Sequence, residues 1–222
     1  VSVGEALVTA CQLASAPEEE KNYTIEFFIN EPENNNAFAY YQGLFSVLQP
    51  YLDNGVLLCN SGRTSFEDVC MQETTVDFSK ERCEAYLSKY YKEALPDILC
   101  TSSDILANGC IEGLLAKKAS PKKTWPLITG LGTDTESLEN LISGYQALTV
   151  HLPSEALIPH CLQAAQHILA GEETPFSSQA YHNGQISVPA VLQSASVIDA
   201  ANYQSLLIDT GIFSFETPAE EE

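Results

Sequence analysis

The chain has 222 residues and carries 10 Lys+Arg against 30 Asp+Glu, a formal net charge of −20. That balance excludes nucleic acid, which is bound by neutralising phosphates with Lys and Arg, and argues against docking on anionic lipid. A 45% hydrophobic fraction is that of a folded chain, and the length fits one large or two small domains.

No apolar run approaches the ~18–20 residues of a membrane span. The opening residues Val1–Val8 have no basic region and carry Glu5, so they do not read as a signal peptide. Met71 is the only methionine, and the chain reads as a piece of something longer.

Five short apolar runs predict strands: Tyr23–Asn30, Val56–Asn60, Asp97–Thr101, Trp125–Thr129 and Ala147–Leu152. Most are continuous rather than alternating, as in parallel strands buried on both faces. Helical spacing lies between them. Asn36–Leu52 puts Phe38, Tyr41, Phe45, Leu48 and Leu52 on one stripe and stops at Asn54-Gly55. A second helix opens at Asp77 and carries Cys83, Leu87, Tyr90 and Ala94. A third has Ser102, Ser103 and Asp104 as candidate caps. In the fourth, Thr133-Asp134-Thr135-Glu136 matches a capping box before Leu138 and Leu141. The fifth runs through Leu157, Cys161, Ala165 and Leu169 to Gly171, with Pro159 near its start.

This alternation predicts an α/β fold: a three-layer α/β/α domain with a mostly parallel sheet and right-handed crossovers. After Gly171 the pattern changes. Tyr181–Val188 reads as a hairpin around Asn183-Gly184, Asn202–Thr210 as a short closing helix, and Glu216–Glu222 as a disordered acidic tail. The seven cysteines show no C-x-x-C spacing, so zinc-ribbon and thioredoxin readings fail, and buried thiols are expected.

In open α/β sheets, ligands bind beyond the carboxyl ends of the strands. The segments there are Glu31–Asn36, Asn60–Arg63, Ser102–Asp104, Gly130–Asp134 and Pro153–Glu155. They are rich in amides and hydroxyls, which suit a neutral polar ligand and do not make a nucleophile–base pair. Gly130-Leu131-Gly132 lacks the third glycine of a dinucleotide fingerprint, and no P-loop, H-E-x-x-H or G-x-S-x-G occurs. His160 and His167 are seven apart without a third ligand. No cofactor, metal or enzyme is expected. Asp104 after a strand reads either as a catalytic carboxylate or, far more often for such a position, as a helix-start cap, and Asn34–Asn36 can read as no more than a polar turn with a cap. Asn22-Tyr23-Thr24 fits a glycosylation sequon, relevant only in a eukaryotic secretory context.

Several segments carry a family resemblance. Asn35-Asn36-Ala37-Phe38, Tyr41, Gly43 and Ser46–Tyr51 lead into Ser61-Gly62, Ser103-Asp104, Ile128-Thr129-Gly130 and Leu141–Gln146. His182–Gly184, Val188-Pro189, Asn202-Tyr203 and Leu207–Gly211 complete the order from about residue 3 to 213. The whole resembles the second lobe of periplasmic sugar-binding proteins of bacterial ABC transporters, of the xylose and multiple-sugar type. The resemblance implies one lobe of a type I periplasmic binding protein fold. It divides the chain into a core (1–152), a crossing helix and hairpin that go with an absent first lobe (153–185), a return segment (186–215) and the tail (216–222).

By the same resemblance the ligand contacts are Asn35, Asn36, Ser103 and Asp104. Ser103 stands where the family has an asparagine. Thr74 stands near its stacking tryptophan, Leu131-Gly132 in place of a Gln-Asp pair, and Leu152 in place of a lysine. The implied protein is an exported solute-binding component of a carbohydrate importer in the bacterial cell envelope. It would bind a small polar ligand such as a sugar and dock on a membrane permease. The 153–170 helix would meet a first lobe or a second copy. The alternative is an interaction protein of the same fold that has lost sugar binding.

Overall fold

The structure is a computed structural model that describes residues 1–15, 22–119, 124–174, 180–182 and 185–214. Its first helix, α1 (Ser2–Ala10), buries Val3, Gly4 and Leu7. The apolar run that follows forms β1 (Tyr23–Phe28), continued by a bridge from Ile29 to Cys70. Helix α2 (Asn35–Asp53) starts where the Asn34 side chain accepts from the Asn36 N–H, and it ends at Asn54. Next come β2 (Leu57–Leu58), the short α3 (Phe66–Val69) and α4 (Val76–Tyr90), the last capped by Thr75. Strand β3 (Ile98–Thr101) leads into α5 (Asp104–Ala116), capped by Ser103. Strand β4 (Leu127–Ile128), α6 (Thr135–Ile142) and β5 (Leu148–His151) follow.

The sheet order is β2-β1-β3-β4, with parallel pairing throughout and Phe28 opposite Thr101. Backbone bonds from Ala147 N to Ile128 O (2.9 Å) and from Val150 N to Gly130 O (3.1 Å) lay β5 along the far side of β4. Successive residues of β1 point to opposite faces. Phe27 meets Phe45 of α2, with ring centroids 4.9 Å apart, and Phe28 meets Tyr86 of α4 at 5.7 Å. The two helices therefore cover opposite faces, and the architecture is the expected three-layer α/β/α. Phe27, Phe28, Ile25 and Leu99 are almost wholly buried, each worth about 1.5–3 kcal/mol against exposure.

Helix α5 packs on α4 closely enough to dictate a residue. A Cβ at Gly109 would collide with the Val76 carbonyl and with Ser79. That contact explains a glycine inside a helix, where it otherwise costs about 1 kcal/mol relative to alanine.

Two compact units are present: 1–150 together with 197–222, and 151–196. In the first, β8 (Ser196–Asp199) pairs with β5, and Ile198 and Leu207 close over Leu138 and Leu141. The second unit holds α7 (Ile158–Ala170) and the antiparallel pair β6 (Ala180–His182) and β7 (Ser187–Pro189). The turn residues Asn183-Gly184 and the tail lie outside the described residues. Helix α7 has Pro159 in its first turn, Gly171 at φ +72 as its stop, and no buried residue.

Three local readings are corrected. The cap of α6 is Asp134, accepting from Ser137 N, and not Thr133. Thr133 sits at φ +67 with its N–H donated to Asp104 and its hydroxyl to Val150 O, so it is held by the sheet edge. The expected closing helix over 202–210 is present but shorter, a five-residue helix of π type at Gln204–Ile208. The strand at Ser196–Asp199 has no counterpart among the expected elements.

Cys70, Cys83, Cys100 and Cys110 are buried free thiols, Cys59 is half-buried and Cys161 is exposed. Burial pushes the Cys100 and Cys59 thiols up to about 11, so both stay protonated at neutral pH. Under native conditions one equivalent of iodoacetamide should modify Cys161 first, and the C161S variant should lose that fast phase. Peptide mapping by mass spectrometry reads the order.

Candidate functional site

The carboxyl edge of the sheet is built on two buried carboxylates that have no salt-bridge partner among the described residues. Glu26, in the middle of β1, is fully buried. It accepts from Ser61 N (3.0 Å), Ser61 Oγ (2.6 Å) and the Tyr91 hydroxyl (2.8 Å), and these bonds fasten the loop after β2 to β1. Burial, and then the Glu26 charge, push the Tyr91 hydroxyl well above its ordinary range.

Asp104 opens α5 and is 2% exposed. Its Oδ2 accepts from Thr133 N at 2.6 Å, and its Oδ1 accepts from Gln146 Nε2 and Thr149 Oγ1, both at 2.8 Å. A carboxylate in an apolar surrounding is tolerated when such donors surround it. Burial still raises its carboxyl above the ordinary value, with the bonds from Gln146, Thr133 and Thr149 opposing the rise. The site is also tight: a Cβ at Gly130 would overlap both the Asp104 carboxylate and the Gln146 amide.

Between these anchors lies Asn30, at the end of the β1 run. Its Oδ1 accepts from Ser102 Oγ and from Ser103 Oγ, both at 3.0 Å, and its N–H donates to Ser102 Oγ at 2.9 Å. The Nδ2 group makes no hydrogen bond among the described residues and stays available to a ligand. Asn35 and Asn36 are exposed in the first turn of α2. Glu31 and Thr74 tie the loop after β1 to the segment before α4: Thr74 Oγ1 donates to the Glu31 carboxylate, and Glu31 N donates to Thr74 Oγ1.

The four residues expected at the site thus share one edge, because β1 and β3 are neighbours. The structure joins Ser103 to it through Asn30. It turns both oxygens of Asp104 toward the β4–β5 side, and Asn35 and Asn36 make no hydrogen bond to either residue. Asn30 was missed because it reads as the last residue of an apolar run; an amide ending such a run is the signal that could have found it. The edge offers amide, hydroxyl and peptide groups. No cluster of three or more His, Cys, Asp or Glu side chains able to hold a metal occurs among the described residues. No helix among the described residues is long and apolar enough to cross a membrane.

No protein-family model matches the chain. It is 29% identical over 193 residues to the multiple sugar-binding periplasmic protein SbpA of Azospirillum brasilense, covering 86% of this chain and 54% of that protein. Against the multiple sugar-binding periplasmic receptor ChvE of Rhizobium radiobacter it is 28% identical, with the same coverage. Among solved structures, an ABC transporter solute-binding protein from Clostridium phytofermentans with bound β-D-glucose superposes with a TM-score of 0.85 at 30% identity, over 95% of this chain and 64% of that one. The chain spans about half the length of the curated relatives it matches.

Two outcomes test the geometry. Gly130→Ala should destabilise the chain by about 1–3 kcal/mol in urea unfolding, because the edge has no room for the methyl group. The second concerns pH. The folded chain holds the Asp104 proton more readily than the unfolded chain does. Stability from this group is therefore greatest at low pH and is lost as pH rises through the raised pKa. Asp104→Asn does not titrate, so the stability of the wild type relative to the variant should decline from about pH 4 upward. A pH-independent difference would contradict the placement.

Proposed function

The chain is homologous, over one lobe's length, to periplasmic sugar-binding proteins of ABC transporters, and on that premise we propose that it is a ligand-binding lobe of a solute-binding protein. It binds a small polar ligand of the sugar class without covalent chemistry and serves a membrane permease from an exported position. The observation that carries this reading is the match over 86% of the chain to sugar-binding relatives, placed on an edge of amides and hydroxyls. In this reading Asn30, Asn35, Asn36 and Ser103 contact the ligand. Asp104 positions the edge from behind, since its oxygens are already engaged. Residues 1–152 and the 186–215 return form the lobe, and 153–185 belong with a second lobe.

The ligand differs from that of the relatives. Thr74, Leu131-Gly132 and Leu152 replace the aromatic, acidic and basic contacts that the resemblance implies. Thr74 is moreover tied to Glu31. Each charged hydrogen bond lost to a sugar hydroxyl weakens binding by about 1.5–3 kcal/mol, more than tenfold.

A second reading, an interaction protein of this fold, is favoured by α7. Ile158, Leu162 and Leu169 on it are 59%, 62% and 88% exposed.

Isothermal titration of the full-length protein with a panel of neutral sugars and polyols separates the two. The first reading expects saturable binding of at least one, weakened about tenfold or more in an Asn35→Ala, Asn36→Ala double variant. Silence across the panel would leave the interaction reading.

A further inference from the structure

The cationic groups of this acidic chain are concentrated. Eight of its ten lysines and arginines fall between positions 80 and 123, against six carboxylates in the same stretch. Two of them, Lys92 and Lys117, line a cleft of about 480 Å³ where α4 and α5 both end. Its walls include Leu87, Ser88, Tyr91, Lys92, Leu95 and Lys117, and Glu93 is the only carboxylate among its lining residues. The cleft lies at the amino ends of β3 and β4, the opposite edge of the sheet from Asn30 and Ser103.

The cleft is prepared for a charge. Lys117 Nζ donates to Ser88 Oγ at 3.0 Å, which holds its ammonium against the wall between the two helices. Lys92 makes no hydrogen bond or ion pair among the described residues. Lys118, next to Lys117, adopts φ +59, a conformation in which glycine is the usual helix stop. The carbonyl ends of α4 and α5 favour lysines nearby, but that preference does not require a hollow between them. The apolar wall is fixed as well. Leu87 and Tyr91 are nearly buried, and the Tyr91 hydroxyl is committed to Glu26, so only its ring is left.

We propose that this cleft binds a small organic anion. A phosphate or carboxylate head group sits between the Lys92 and Lys117 ammonium groups, and a compact apolar body packs on Leu87, Tyr91 and Leu95. The protein's overall negative field repels anions at long range, and salt screens it within about 10 Å. A local pair of ammonium groups beside an apolar wall is what overcomes that field at contact.

The test is NMR titration of the full chain with phenyl phosphate, benzoate, inorganic phosphate and the neutral benzyl alcohol. Saturable shifts at Ser88, Lys92 and Lys117 are expected with phenyl phosphate or benzoate, and their order assigns the head group. Inorganic phosphate should bind more weakly for want of the apolar contact. The Lys92→Gln, Lys117→Gln double variant should weaken binding about tenfold or more. An Asn35→Ala, Asn36→Ala variant should leave it unchanged, which separates this site from the sugar reading. The proposal is overturned if the organic anions bind no better than benzyl alcohol, or if the lysine variant, folded by its melting profile, binds them as the wild type does.

Discussion

Asp104 is a buried carboxylate held by directed neutral donors instead of a cation. Its partners come from three places in the chain: the peptide N–H of Thr133, the amide of Gln146 and the hydroxyl of Thr149. In a low dielectric each such bond is strengthened, and each missing one would leave a costly orphan. The β4 edge, the loop before α6 and the start of β5 must therefore converge on one side chain. The bare backbone at Gly130 and the left-handed Thr133 follow from that convergence.

Glu26 repeats the device on the neighbouring strand β1, gathering Ser61 from the loop after β2 and Tyr91 from the end of α4. The two carboxylates brace the loops on either flank of Asn30, and Asn30 in turn holds the serines that open α5. A polar ligand-binding edge gains from this arrangement. Its contact groups are small and neutral, while the charges that organise them are withdrawn from solvent and from the ligand.

The same economy separates the two ends of the sheet. At the carboxyl edge the buried charges are negative and satisfied. At the amino edge the lysines around the α4 and α5 ends stand beside an apolar hollow, and Tyr91 belongs to both: its hydroxyl to Glu26, its ring to the cleft.

Much of this was legible without coordinates. Five apolar runs became strands within two residues of their expected ends, because parallel strands buried on both faces cannot alternate. One of the three candidate caps of α5, Ser103, is the cap, since a cap acts within a few residues of its own position. The failures share one cause. Asp134 displaced Thr133 as a cap because Thr133 answers to Asp104, 29 residues back. The strand at Ser196–Asp199 forms because β5 and α6 offer Ile198 a partner strand and a covered site, which nothing local announces. Asn30 looked like the end of a strand because its serine partners stand 72 and 73 positions away. The sequence by itself determined the alternation of the five core strands with the long helices, the starts of most of those helices and the acidic charge, all set by short-range pattern and composition. Only the tertiary structure decided which polar groups share the interior. Glu26 meets Tyr91, and Asp104 meets Thr149, across 65 and 45 residues, and such pairs exist only once the sheet has closed the chain between them.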